Sequence, residues 1–169
     1  MFGFRPAVLV AAFAAMVAIA LALGLAQSAY ATPTTGQFQF EETYVDDGAS
    51  AACGFPVTFH QLGRGRYERS YDQQGNLTRV QVQIVIDGTA TANGITLLVH
   101  GAGSNSFDVL TGTQMDASLE FRVWLPGFGV VIMDRGRLLF DAEGNVIFEA
   151  GPHPALEGDF SALCAALTP

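Results

Sequence analysis

The chain of 169 residues contains no lysine, and its basic side chains are eight arginines against 16 aspartates and glutamates. Removal of an N-terminal leader would also remove Arg5, so the formal charge of −8 would become −9. A protein this acidic, with few and scattered arginines, gains no free energy by releasing counterions from phosphates. Nucleic acid is therefore not an expected partner, and neither is an anionic membrane surface.

Cysteine is scarce, with Cys53 and Cys164 lying far apart in the sequence. Thiols pair in the oxidising compartments that exported proteins enter, so we expect a disulfide between these two residues. The alternative is two buried free thiols. Two isolated cysteines without a nearby histidine do not have the spacing of zinc ligands, and we predict neither a metal site nor a cofactor.

The N-terminus has one positive charge, Arg5, followed by an apolar run from Ala7 to Ala26. Ala29-Tyr30-Ala31 then has the small-x-small form of a signal-peptidase site. No twin arginine precedes the run and no cysteine ends it, which favours general secretion over folded export or a lipid anchor. We expect residues 1–31 to be a signal peptide and the protein to be secreted or held in the cell envelope, without stable membrane insertion. The rival interpretation is an uncleaved anchor, because about 20 apolar residues can span a bilayer.

Alternation of apolar and polar residues dominates the chain from Phe38 to Phe148. It is clearest where Val80, Val82, Ile84 and Ile86 alternate with polar residues, a period typical of strands with one buried face. Turn signals separate the apolar runs: Asp72–Asn76, Asp87-Gly88, Ala92–Gly94, Asp134–Gly136 and Asp141–Asn145.

The intervals between these turns are too short for helical crossovers, so the sheet should be antiparallel. We predict an all-β antiparallel barrel or sandwich of eight to ten strands over residues 53–169, preceded by an N-terminal segment over 32–52. A short C-terminal helix should follow Asp159, because Phe160, Leu163, Cys164 and Leu167 form one apolar stripe at helical spacing.

The stretch HGAGS at 100–104 follows an apolar run, and its histidine followed by small residues is similar to the oxyanion-stabilising loop of esterases. An α/β-hydrolase also needs a Gly-x-Ser-x-Gly nucleophile elbow between a strand and a helix, and the chain contains no such motif. We therefore predict a flexible turn here and no catalytic role for Ser104. No catalytic residue is predicted anywhere in the chain.

Other candidate site residues are few. A metal site would require His60, His100 and His153 to converge with a carboxylate such as Asp108, and scattered surface histidines are the expected alternative. Glu41-Glu42 and Asp46-Asp47 are expected to be solvated charges, because adjacent strand residues point to opposite faces.

Three stretches, CGFPV at 53–57, MDRGRLLFDAEGNVIFEAGPH at 133–153 and LCAAL at 163–167, resemble a group of secreted β-barrel proteins of GC-rich bacteria. The resemblance implies export, a β-rich domain and a cysteine pair joining its ends, but no activity. At the level of architecture the chain is also similar to lipocalin-like and allene-oxide-cyclase-like barrels, and architecture does not determine function.

The leading hypothesis is a non-enzymatic, exported module that binds a small, largely apolar ligand inside the barrel or at its mouth. The alternatives are an enzyme that uses a barrel cavity, such as an isomerase, and a cell-envelope or structural protein without a ligand. Convergent polar side chains inside the barrel would favour the enzyme, an empty apolar cavity the binding module, and a fully packed interior the structural protein.

Overall fold

Seven strands pair in sequence order, each antiparallel to its neighbours, to form one sheet. The structure, a computed structural model, describes residues 32–169, the side chains of residues 118 and 119 excepted. The predicted signal peptide lies outside these residues. The strands are β1 (Thr34–Val45), β2 (Thr58–Tyr71), β3 (Leu77–Ala92), β4 (Ile95–Asp108), β5 (Gln114–Leu125), β6 (Gly129–Phe140) and β7 (Val146–Ala150). Two short helices complete the fold, α1 (Asp47–Cys53) and α2 (Ser161–Ala166).

The predicted antiparallel all-β class with a short C-terminal helix is confirmed. The segment 32–52 contributes its strand β1 to the same sheet, because β1 pairs with β2 along its whole length, and its last residues belong to α1. β1 and β7 are the two edges of the sheet in the part of the chain that the structure describes.

Seven strands are fewer than the eight to ten predicted, because three predicted turns lie inside strands. Asp87-Gly88 is in β3, residues 100–104 are in β4, and Asp134–Gly136 is in β6. Two of these glycines are required by a neighbouring strand: a Cβ at Gly88 would overlap the carbonyl oxygen of His60, and one at Gly136 that of Ala150. Glycine here permits close approach of neighbouring backbones, and it does not end the strand.

Three hairpin turns at one end of the sheet begin with the same pair of residue types. An aromatic residue followed by aspartate stands at the end of each of β2, β4 and β6: Tyr71-Asp72, Phe107-Asp108 and Phe140-Asp141, of which Asp108 is still the last residue of its strand. Each aspartate accepts hydrogen bonds from backbone N–H groups of its own turn. The carboxylate replaces the strand partners that these N–H groups have lost, which is why Asp is favoured at such positions.

The sheet has two faces of different character. We call the face that carries Phe59, Val99 and Val123 the inner face, and the opposite one, with His60 and His100, the outer face. On the helix-side half of the inner face, buried strand residues pack with Ala49 of α1, Leu163 of α2 and Leu167 just after it. Below it lies the far half of the inner face, defined by Arg69, Val80, Ile84, Leu138 and Phe140, which are buried but lie outside the cluster that includes the helices.

The two helices are joined by the expected disulfide between Cys53 and Cys164. The predicted apolar stripe of α2 is confirmed, since Leu163 and Leu167 are fully buried. Helix α1 was not anticipated from the sequence. Asp46 begins it by accepting a hydrogen bond from the Ala49 N–H at 2.8 Å, and Gly54 ends it in the left-handed region with φ of 74°.

Candidate functional site

The most unusual polar residue of the inner face is Arg69 on β2. Its side chain is only 6 % exposed, and its Nε and Nη2 atoms are buried without a hydrogen-bond partner among residues 32–169. The guanidinium carbon lies 4.7 Å from the centre of the Tyr67 ring. Buried arginines ordinarily pair with a carboxylate, because an isolated buried charge is costly by several kcal/mol. Arg69 therefore holds unsatisfied donors in an apolar setting.

A second polar group on the far half of the inner face links β4 to β5. Asn105 Nδ2 donates a hydrogen bond to Asp116 Oδ1, and Gln114 Nε2 donates to the same oxygen at 3.2 Å. Burial raises the pKa of Asp116, and the two amide donors offset that effect in part. The Oδ1 atom of Asn105 is buried without a partner among the described residues. Asp116 is therefore a buried carboxyl group held by amides.

Apolar side chains surround these polar groups. In the register of the sheet, Arg69 lies opposite Val80, and Val80 lies opposite Phe107 on β4. Asp116 lies opposite Leu138 on β6. The far half of the inner face is therefore apolar with two separate polar positions.

Aromatic rings from the edge of the sheet cover part of this half. A Cβ added at Gly63 would overlap the ring of Phe40, and one added at Gly65 would overlap the ring of Phe38. Both rings are only partly buried, and both belong to the edge strand β1. This partial cover of the far half is thus made of side chains on a strand that is paired on one side only in the described residues.

A groove of about 640 Å³ opens on the outer face, across β1 to β5. Ser104, Ser106 and Ala117 are the small side chains among its lining residues. The longer polar side chains that line it are Gln37, Arg66, Glu68, Gln81 and Gln83. This hollow is polar and lies on the face opposite the expected apolar interior.

Ser104 lies within strand β4, so the prediction of a turn at HGAGS is wrong. Its hydroxyl donates a hydrogen bond to the carbonyl oxygen of Ala117 at 3.0 Å, where β4 and β5 change register. The neighbouring His100 binds Asp87 Oδ1 through Nδ1 at 2.8 Å. The imidazole of His100 is thus engaged by Asp87, and the Ser104 hydroxyl by the backbone of β5.

The three histidines do not converge, and the Nε2 atom of His153 is buried without a hydrogen-bond partner in the described residues. His60 contacts Thr43 and Glu41 on β1, at 3.0 and 3.6 Å, whereas His100 pairs with Asp87. Within residues 32–169, no three histidine, cysteine or acidic side chains are grouped so that they could hold a metal ion. The expectation that all three histidines lie on the surface is wrong for His153, which is 1 % exposed.

His153 lies beside Asp134, which is also buried. Burial raises the pKa of Asp134, while the hydrogen bond that Asp134 accepts from the Ala155 N–H and the proximity of His153 lower it in part. This pair attaches the segment after β7 to β6. We assign it a structural role, because it belongs to the contact between that segment and the sheet.

The acidic residues of the N-terminal segment do not form one cluster. Glu41 is exposed on the outer face and contacts His60, whereas Asp46 caps helix α1. Asp47 is exposed in the first turn of that helix.

The sequence contains one signal for the position of Arg69. In β2, Arg64 and Arg66 occupy even-numbered positions on the outer face, whereas Arg69 shares the odd-numbered positions of Phe59 and Tyr67. Strict alternation therefore places Arg69 on the inner face. Asp116 has no such signal, because the register between β4 and β5 shifts near it.

Comparison with protein-family models, with curated proteins and with solved structures gave no match to the chain. The resemblance to secreted β-barrel proteins therefore stays a prediction. Neither of the helices in residues 32–169 is long and apolar enough to cross a membrane.

Proposed function

We propose that the protein is an exported binding module that holds a small, largely apolar ligand against the far half of its inner face. The observation that carries the proposal is the cover of this half. Partly buried rings of Phe38 and Phe40, on an edge strand, lie over glycines of β2. Side chains on a singly paired strand can move at lower cost than a packed helix, which would give a ligand a route to the apolar surface.

The covalent link between the helices supports the location. A disulfide between Cys53 and Cys164 fits an extracellular protein, since such bonds persist in oxidising compartments. It also holds the helix-side half together while the far half opens. The polar groove of the outer face is less suited to an apolar ligand, because its lining is mostly amide, hydroxyl and charged groups.

The proposal can be tested with N-phenyl-1-naphthylamine, an uncharged apolar dye that fluoresces when it leaves water. We expect saturable binding of one dye per chain. Phe38→Ala should change the affinity for the dye, because it removes a ring from the cover of the far half. Val130→Ala, on the outer face, should leave the affinity for the dye unchanged. Native mass spectrometry of protein from its own host should show a bound small molecule. Absence of both dye binding and a co-purified molecule would leave the structural protein as the better account.

An enzyme that uses this interior is the second candidate, and Asp116 is the observation that favours it. A buried carboxyl group with a raised pKa is typical of catalytic acids and bases, although structural networks also produce such groups. Chemical change of a co-purified molecule during incubation, abolished by Asp116→Asn with dye binding intact, would support the enzyme.

A further inference from the structure

We infer that Arg69 receives the anionic group of the ligand, and that the ligand is an amphiphile with a carboxylate head and an apolar tail. This inference rests on the proposed function and specifies the chemistry of the same site.

The first argument is the isolation of the charge. Arg66 donates to Gln83 at 2.9 Å, and Arg79 donates to Ser106 at 2.7 Å. The Nε atom of Arg122 is buried without a hydrogen bond, but it has an ion-pair partner in Glu120 at 3.6 Å. Arg69, in contrast, is the one buried arginine of residues 32–169, and none of the acidic side chains described there forms an ion pair with it. A chain with 16 acidic residues and this one unpaired buried cation is missing a counter-ion at a defined place.

The second argument is the geometry of the free donors. Nε and Nη2 form the edge of a guanidinium whose two N–H bonds are parallel, which matches the two oxygens of a carboxylate. Both atoms are buried and unpartnered in the described structure. The Tyr67 ring lies 4.7 Å from the guanidinium carbon, so a face of the group is stacked while this edge is unused.

The third argument is that the protein does not supply the carboxylate itself. Asp116, the buried carboxyl group of the far half, is on β5, three strands away from β2. At about 4.8 Å between neighbouring strands it is roughly 14 Å from the Arg69 position along the sheet. Asp116 already accepts hydrogen bonds from Asn105 and Gln114.

The surroundings of Arg69 describe the rest of the ligand. Val80 lies directly opposite Arg69 and Phe107 lies opposite Val80, so apolar side chains continue from the guanidinium across the next two strands. A ligand with its anion at Arg69 would place its body on this apolar surface. A ligand that was charged throughout would gain nothing there.

The test compares dodecanoate, dodecanol and dodecyl phosphate by displacement of N-phenyl-1-naphthylamine. They share one tail and differ in the head group. We expect the full mature chain to bind dodecanoate about tenfold or more tightly than dodecanol, which is the usual gain from hydrogen bonds to a charged group. In Arg69→Met this preference should disappear while dodecanol binding remains. The matched control Arg66→Gln, which removes a nearby arginine from the outer face, should keep the preference.

The outcomes separate the inference from the proposed function. Equal binding of dodecanoate and dodecanol by the unmodified protein would overturn the inference and leave the binding module intact. Binding of none of the three compounds, together with no dye binding, would overturn both. Tighter binding of dodecyl phosphate than of dodecanoate would show that the carboxylate assignment is wrong.

A structural role for Arg69 predicts a different result. In that case Arg69→Met would lower the unfolding midpoint, and the ratio of the two affinities would not change. We expect the opposite, because replacing an unpaired buried charge by an apolar side chain is neutral or stabilising. If Arg69→Met does not fold, Arg69→Lys provides the test: it keeps the charge but lacks the two parallel donors, so the preference for dodecanoate should weaken without vanishing.

Discussion

Cys53 and Cys164 join the two helices across 111 residues of chain, with their Cα atoms 5.0 Å apart. Helix α1 follows the edge strand β1, and α2 is the last helix of the chain. The bond therefore fixes one end of the edge strand to the C-terminal segment. The other end of β1, at Thr34, has no such covalent link in the described residues and is held by its pairing with β2 and by the Thr34 hydroxyl, 3.2 Å from that of Tyr71.

Removal of the disulfide should destabilise the protein without abolishing its fold. We expect Cys53→Ala together with Cys164→Ala to lower the free energy of unfolding by about 2–5 kcal/mol, because the crosslink restricts the unfolded chain. Urea unfolding followed by circular dichroism measures the loss, and the β signal in the absence of urea should persist. Equal stability of the oxidised and reduced forms would contradict the expectation.

The hairpin turns at Asp72 and Asp141 should stabilise the folded protein by the same mechanism as each other. Asn76 Nδ2 donates to Asp72 Oδ2 at 2.9 Å, and Asn145 Nδ2 donates to Asp141 Oδ2 at the same distance. These bonds hold the pKa of both aspartates below its ordinary value. Their stabilisation is therefore present above the ordinary pKa of aspartate and is lost as the pH falls through the lower, folded-state value.

We expect Asp72→Ala and Asp141→Ala to lower the unfolding midpoint by similar amounts at pH 7, and by less in acid. Thermal unfolding over a pH series is the measurement. Asp72→Asn is the control, since it keeps an oxygen acceptor but not the charge. A loss that does not diminish in acid would show that the charge of the carboxylate does not matter.

Much of the fold follows from short-range patterns in the sequence. Alternation over Val80 to Ile86 identifies a strand and its buried face, and the spacing of Leu163 and Leu167 identifies the apolar side of α2. The turn at Asp141–Asn145 follows from the preference of Asp, Gly and Asn for tight turns. Each of these signals depends only on neighbours within a few residues.

The failures occur where the cause is a distant contact. The local sequence around Gly88 and Gly101 predicts turns, but both residues lie within strands, and the backbone of His60 on the neighbouring strand explains the glycine at position 88. The position of Arg69 on the inner face follows from its parity, whereas its lack of a partner depends on every side chain that could have reached it. Local sequence patterns do not show whether a distant side chain reaches Arg69, and the candidate site depends on Arg69 having no such partner.

Asp134 and His153 should be energetically coupled. His153→Ala removes a buried side chain and should cost about 2–4 kcal/mol. Asp134→Ala removes the acceptor of the Ala155 N–H and should cost about 1–3 kcal/mol. A double-mutant cycle by urea unfolding should show that the combined loss differs from the sum by at least about 0.5 kcal/mol. Asp134→Asn keeps the acceptor and should cost less than Asp134→Ala, whereas strict additivity would indicate that the two side chains do not interact.

Asp116 should make the folded protein less stable as the pH rises, in contrast to Asp72. Burial raises the pKa of Asp116, so the folded state binds the proton more tightly than the unfolded state. The favourable contribution is then complete below the ordinary pKa of aspartate and is lost as the pH rises through the folded-state value.

Asp116→Asn keeps an oxygen for the Asn105 and Gln114 donors and removes the buried charge. We expect it to raise the free energy of unfolding at pH 7 and to have a smaller effect near pH 4, where less of the carboxylate is charged. Urea unfolding at the two pH values is the measurement, with the exposed Glu143→Gln as a control for the change in net charge. A variant that is less stable than the unmodified protein at pH 7 but equal to it at pH 4 would contradict the expectation, and would mean that the Asn105 and Gln114 donors stabilise the carboxylate by more than its burial costs.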